Sequence, residues 1–179
     1  GLAGCSNDSS STPAGDEGPD GQATAEGMTL SGQWPLTGLP ASGAAPKHPV
    51  IVVKIDNSGN SSPQIGLGSA DLVTEELVEG GSTRLAVFYY SKLPRVAGPV
   101  RSMRATDIGI VEPAEAVLVA SGGAPPTVRR VADAGIKTFT EGATGYSRAS
   151  DRTAPYNLMM ALPTLAKTLK APEPPENYL

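Results

Sequence analysis

The chain has 179 residues, 18 acidic and 14 basic, with a formal charge of −4, one cysteine and one histidine. One cysteine excludes an internal disulfide framework and a cysteine-rich zinc site, and one histidine leaves little for histidine-based catalysis. The charge is unevenly placed: residues 1–46 hold five acids and no base, so the remainder carries 14 bases against 13 acids and lacks a nucleic-acid footprint.

In chain order, Leu2-Ala3-Gly4-Cys5 has the form of a bacterial lipobox: a branched apolar residue, two small residues and the cysteine. Residues 1–5 are read as the end of a signal segment, with Cys5 as the lipidated residue. Residues 6–33 hold no aromatic and no β-branched apolar side chain. Such a stretch buries too little apolar surface to offset its ordering entropy, so it is expected to be a disordered tether. Acyl chains on Cys5 would hold the membrane through about 0.8 kcal/mol per buried CH₂. No later stretch approaches the roughly 18 apolar residues of a membrane span. The expected location is the outer face of the bacterial cytoplasmic membrane.

Residues 34–170 are expected to form one globular domain. Trp34 to Pro40 reads as an extended segment pinned to its surface by Trp34, and 41–48 as a small-residue linker holding a solvated His48. Pro49 to Asp56 is a continuous, β-branched run suited to a buried central strand. Asn57 to Pro63 is a turn-rich loop. Ala70 to Val78 fits helix or strand, Glu75 and Glu76 favouring the first and Val73, Thr74 and Val78 the second. Thr83 to Ser91 is a second strong strand, and Val96 to Val100 a short one. A short helix is expected over 105–111, a core strand over 115–120 and a helix over 125–134, with proline in its first turn and Gly135 as its stop. A strand over 136–140, an apolar stretch over 156–161 and a helix over 163–170 follow, and 171–179 reads as a linker to a further domain. Strands alternating with helical stretches give an α/β or α+β domain, a mixed central β-sheet with flanking helices behind the tether.

Four ordered motifs carry a resemblance. They are Val53-Lys54-Ile55-Asp56-Asn57; Gln64-x-Gly66-Leu67-x-x-Ala70-Asp71; Glu75-Glu76-x-Val78-Glu79-Gly80-Gly81-x-Thr83-Arg84; and Gly98-Pro99-Val100-Arg101-Ser102-x-Arg104. Together they resemble the YerB-like family of bacterial lipoproteins, over roughly residues 35–165. Asp151-Arg152-x-Ala154-Pro155-Tyr156-Asn157-Leu158 is similar to a further family signature in which histidine is expected in place of Tyr156, which argues against a catalytic role for that position. The resemblance implies a lipoprotein with a second domain and brings no established activity.

Arg84, Arg101, Arg104 and Arg152 are the candidate anion-binding residues, because guanidinium–phosphate pairs are charge-assisted and often two-pronged. The alternative is that they pair inside the domain with Asp56, Asp71, Glu75, Glu76 or Asp107. Those acids could instead hold a divalent cation or supply an acid–base pair, but their spacing matches no calcium loop. Ser121-Gly122-Gly123, between a strand and a helix, reads as a tight turn before an anion loop. Ser102 has no nearby histidine to activate it. No cofactor, metal site or catalytic residue is assigned. The leading expectation is a membrane-anchored binding or accessory protein of the cell envelope, its partner an envelope protein or an anionic cell-wall ligand and not a nucleic acid. The alternative is enzymatic. The order strand, turn, strand, Pro-x-Arg around Thr83–Arg104 is similar to the LytR-CpsA-Psr family, which implies arginines clamping the pyrophosphate of lipid-linked wall precursors for glycopolymer transfer, with Asp71 or Asp107 assisting.

Overall fold

A computed structural model describes residues 32–41 and 44–170. The expected lipidation segment, most of the expected tether and the expected 171–179 linker lie outside these residues. Ile51–Asp56 forms β1, and all six of its residues are buried. That burial follows from its place: β1 is the middle strand of a five-stranded sheet, with neighbours on both edges and layers on both faces. Leu72–Leu77 forms β2, Thr83–Tyr89 β3, Val117–Val119 β4 and Thr138–Phe139 β5. Their spatial order is β2-β3-β1-β4-β5. β3 is antiparallel to β1 and β2, whereas β1, β4 and β5 run parallel. The result is the mixed sheet of an α+β domain.

The register sorts the residues of β1 by face, because side chains alternate along a strand. Ile51, Val53 and Ile55 join Leu85, Val87 and Tyr89 in one core. Over it lie Leu158 and Met160 of a small hairpin, β6 (Tyr146–Arg148) and β7 (Leu158–Met160), with Leu162 and Leu165 of a short helix, α3 (Leu162–Ala166). Val52, Ala86 and Phe88 belong to the second core, beneath Met103, Val111 of α1 (Asp107–Val111) and Val131 of α2 (Pro125–Asp133). α2 starts with two prolines, whose missing N–H groups would have no helical partner there, and Gly135 turns the chain away at φ +77°.

The ambiguous stretch 70–78 is strand, β2. Pairing with β3 overrides the helix preference of its glutamates, since strand formation depends on cross-strand neighbours more than on intrinsic bias. Val96 to Val100 is not a regular strand. It makes single bridges in three directions, Ile65 with Gly98, Ile55 with Val100 and Ala97 with Met160, so it ties the loop, β1 and β7 together without a continuous partner. The 34–40 segment is not extended: it folds back in a turn, Gly38 N–H donating to the Trp34 carbonyl (2.8 Å) and Gln33 bridging Pro40, and Trp34 pins it with its ring edge-on to Tyr90, centroids 6.0 Å apart. His48, expected in solvent, is half-buried beside the same tyrosine.

Candidate functional site

The chain leaves β1 toward β3 and later places β4 on the other side of β1, so the sheet's direction of winding switches between β1 and β4. The crevice outside the carboxyl ends of such strands is the usual ligand position in open α/β sheets. Here Pro99 to Met103 is laid into it. Asp56 N–H donates to the Pro99 carbonyl (3.0 Å) and Arg101 N–H to the Lys54 carbonyl (2.9 Å). Ser121 N–H donates to the Arg101 carbonyl (2.9 Å) and Met103 N–H to the Gly122 carbonyl (2.8 Å). These bonds present Arg101 and Ser102 at the ends of both strands.

Cross-strand pairing brings the charges to meet them. Arg84 of β3 lies opposite Asp56 of β1 on one side and Glu76 of β2 on the other. Lys54, two residues before Asp56, is on the same face and fully buried, ion-paired with Glu76 and with Asp107 (Nζ to Oδ1 2.7 Å). Thr106 Oγ1 donates to Glu76 (2.7 Å), and the Arg104 backbone N–H donates to Asp107 (2.7 Å). Burial pushes the Lys54 ammonium below its ordinary value, against the pull of Asp107. This buried network fixes the face on which the arginines stand.

Three of the four candidate arginines converge there. Arg104 makes a two-pronged contact with Glu79, 2.6 Å at its shortest, and donates to the Met103 carbonyl. Arg101 Nη1 lies 3.0 Å from Asp56 Oδ2, and its guanidinium stands 5.3 Å from the Tyr156 ring centroid, a cation–π distance. Burial pushes the Asp56 carboxyl up, but the hydroxyl and amide of Ser58 together with the Arg101 charge hold it below the usual carboxylate value. Arg84 is only 9% exposed. It donates to the Ser102 carbonyl (2.8 Å), and among the described residues no carboxylate pairs with it. Burial, then the charges of Arg104 and Arg101, push its guanidinium down, against the pull of Asp56 and Glu79. Asp56, Ser58, Glu79, Ser82, Arg84, Arg101 and Tyr156 are among the residues that wall a cleft of about 230 Å³.

The other named residues lie elsewhere or serve other bonds. Arg152 borders an adjoining cleft of about 370 Å³ with Asn60, Asp151 and Tyr156. Glu75 points to the opposite face from Glu76 and is held by Asn57 and Thr83. Asp71 accepts from the Tyr90 and Ser91 amides (2.6 and 2.9 Å), at the end of β3 remote from Arg84. Asp107 is enclosed by Lys54 and the Arg104 amide, away from open space. Ser102 and Ser121 hydroxyls stand 3.3 Å apart in a third cleft beside Arg101. Among the described residues no group of three or more His, Cys, Asp or Glu side chains is gathered to hold a metal, and no helix is long and apolar enough to cross a membrane. Lys54 and Glu79 were not among the sequence candidates. Both stand in the motifs that carry the family resemblance; a lysine inside an otherwise apolar run was a further signal for the first, whereas the partner of Glu79 depends on where Arg104 is laid.

Residues 36–174 match the family model described as the N-terminal domain of a protein of unknown function, DUF3048. The chain belongs to this family. The family domain takes in the sheet, both cores and all three clefts. Over 91 residues the chain is 34% identical to YerB of Bacillus subtilis (strain 168), named as a candidate lipoprotein; the match takes in 51% of this chain and 28% of YerB. The fold is similar to the crystal structure of YerB from Bacillus subtilis, with a TM-score of 0.70 and 26% identity over 76% of this chain and 48% of that one. The matched part of the chain thus spans less than half the length of YerB.

Proposed function

We propose that this protein is a lipid-anchored, extracytoplasmic component of the bacterial cell envelope, and that its family domain binds an anionic ligand in the cleft walled by Arg84 and Arg101. The lipobox form of residues 2–5 and the lipoprotein name of the relative support the anchor. One observation carries the ligand: Arg84 is a nearly buried cation with a carbonyl as its hydrogen-bond partner and two further guanidiniums beside it. Asp56 and Glu79 act on Arg84 through space but are bonded to Arg101 and Arg104, so Arg84 lacks a direct ion pair, and an anion entering from the cleft would supply one. Two-pronged guanidinium contacts favour phosphate or carboxylate, and Ser82 borders the same cleft.

The test is a thermal shift of the full chain against orthophosphate and pyrophosphate, beside Ser82→Glu. Ser82 is exposed on the cleft wall, so the new carboxylate occupies the anion's place without breaking an arginine contact. Ligand at 100 times its dissociation constant should stabilise the chain by about 2.7 kcal/mol. Loss of that shift in a variant whose own midpoint is unchanged or raised supports the cleft as the site; an equal shift in both proteins removes it. For the anchor, cells fed labelled palmitate should incorporate label into the protein, and Cys5→Ser should abolish it.

A further inference from the structure

An anion at Arg84 would leave a second guanidinium, that of the half-exposed Arg152, without an ion-pair partner. Arg152 donates to the Ser61 carbonyl (2.9 Å) and the Pro63 carbonyl (2.6 Å). Neutral acceptors fix its orientation without cancelling its charge. Asp151 borders the same cleft, yet no carboxylate among the described residues pairs with Arg152. Arg84, nearly buried, and Arg152, half-exposed, are thus each aimed by backbone carbonyls, and neither makes an ion pair among the described residues.

The two arginines border neighbouring clefts with a common wall. Tyr156 lines the central cleft with Arg84 and Arg101, and also the cleft that holds Arg152. Arg101 stands over the Tyr156 ring, and the Asn60 amide reaches the Tyr156 hydroxyl at 3.4 Å from the Arg152 side. A phosphate-sized anion at Arg84 would leave Arg152 unmatched. A chain-like anion following the tyrosine wall would meet both. Joining two charges in one molecule makes the second contact intramolecular and so raises affinity without a new kind of contact.

We propose that the groove takes a linear polyanion, with one phosphate-type group at Arg84 and Arg101 and a second, further along the same molecule, at Arg152 and Asn60. The inference rests on the anion reading of the central cleft and adds the ligand's class: a molecule with at least two phosphate-type groups in line. Such chemistry occurs in a soluble polymer and in a lipid headgroup bearing two phosphates.

Calorimetric titration of the full chain with orthophosphate, pyrophosphate, tripolyphosphate and a longer linear polyphosphate, at fixed ionic strength, tests it. Affinity should rise by about tenfold or more at the first length that spans both clefts. Arg152→Gln should remove this gain, but Arg152 also ties two loop carbonyls, so Thr153→Glu is the companion variant. Thr153 is exposed and borders the Arg152 cleft, so its substitution adds repulsion there and keeps the arginine's own bonds. The expected result is orthophosphate binding and thermal midpoint as in the parent, with the length-dependent gain lost. A gain that survives in Thr153→Glu, or affinity that does not change with length, overturns the two-cleft ligand and leaves the single-anion site standing. No binding of any phosphate overturns both. Co-sedimentation with phosphatidylcholine vesicles, with and without cardiolipin, separates the sources. Cardiolipin-dependent binding that Thr153→Glu abolishes supports a lipid headgroup, whereas soluble chains alone showing the gain supports a polymer.

Discussion

Lys54 interrupts a strand that otherwise needs no charge, and it is the residue on which the site's geometry rests. With Lys54 fully buried and its carboxylate partners Glu76 and Asp107 at 9% and 0% exposure, removing the cation alone would leave two like charges in a dry layer. Breaking a buried pair in this way costs about 3–5 kcal/mol, whereas replacing the whole set by neutral groups of similar volume is often tolerated. Lys54→Met should therefore lower stability by about that amount in urea titrations, and Lys54→Met with Glu76→Gln and Asp107→Asn should recover most of it. Asp56 makes a complementary prediction in pH. Its carboxyl sits below the ordinary value of 3.8, so the folded state holds the ionised form more tightly than the unfolded chain does. That contribution is complete above the unfolded value and is lost as pH falls through the folded one. Urea midpoints measured from neutral pH down through pH 4 and below should fall, and Asp56→Asn should flatten the acid end of that curve.

At the scale of elements, the 97–100 segment does the joining, and a glycine makes its close approach possible. A side chain at Gly98, where φ is +155°, would place Cβ 2.7 Å from Met159 Sδ and 2.9 Å from the Leu158 carbonyl oxygen. The thioether could move, but that carbonyl accepts the Val100 N–H at 2.7 Å and is held in place. Gly98→Ala should destabilise the domain by about 1–3 kcal/mol through overpacking. Gly109, inside α1 with open space around the missing Cβ, predicts the reverse, a gain of roughly 0.5–1 kcal/mol for Gly109→Ala. Chemical denaturation of the two variants side by side checks both signs. These elements also show what the sequence could and could not disclose. β1 and β3 were legible because consecutive β-branched and aromatic residues mark strands buried on both faces. The 70–78 stretch was ambiguous because Glu75 and Glu76 favour helix while Val73, Thr74 and Val78 favour strand, and only the partner strand decides. Tyr146–Arg148 gave no strand signal, being three residues whose pairing with β7 depends on a contact made across the intervening loop. Of the site, the arginines were legible from their motifs. That Arg84, Arg101 and Arg104 converge while Arg152 stands in the next cleft follows from strand register and the placing of Pro99–Met103, neither of which is written locally.

Among the described residues the domain is two cores built on opposite faces of one sheet, and β1 contributes alternate residues to each. Neither layer can separate without exposing one side of the strand that the other layer packs against, so the domain should behave as one cooperative unit. Met160 in the first core and Met103 in the second are both completely buried, on opposite faces. Replacing either with alanine should cost about 2–5 kcal/mol through lost burial and the cavity left behind. Far-UV circular dichroism reports the sheet and helices. Trp34, the one tryptophan of the chain, reports the 33–40 segment through its contact with Tyr90. Cooperative coupling requires both signals to move to lower urea together in both variants, with the slope of the transition unchanged, since the surface exposed on unfolding stays the same. If Met160→Ala gave an early step in circular dichroism while the Trp34 signal stayed at its original midpoint, the hairpin layer would be unfolding by itself. The clefts would then be expected to open with it, because Tyr156 and Arg152 lie in the loop between β6 and β7 whereas Arg84 belongs to the sheet. Coincident transitions would instead mean that the groove's two walls are held by a single folding equilibrium, and that a ligand bridging them stabilises the entire domain.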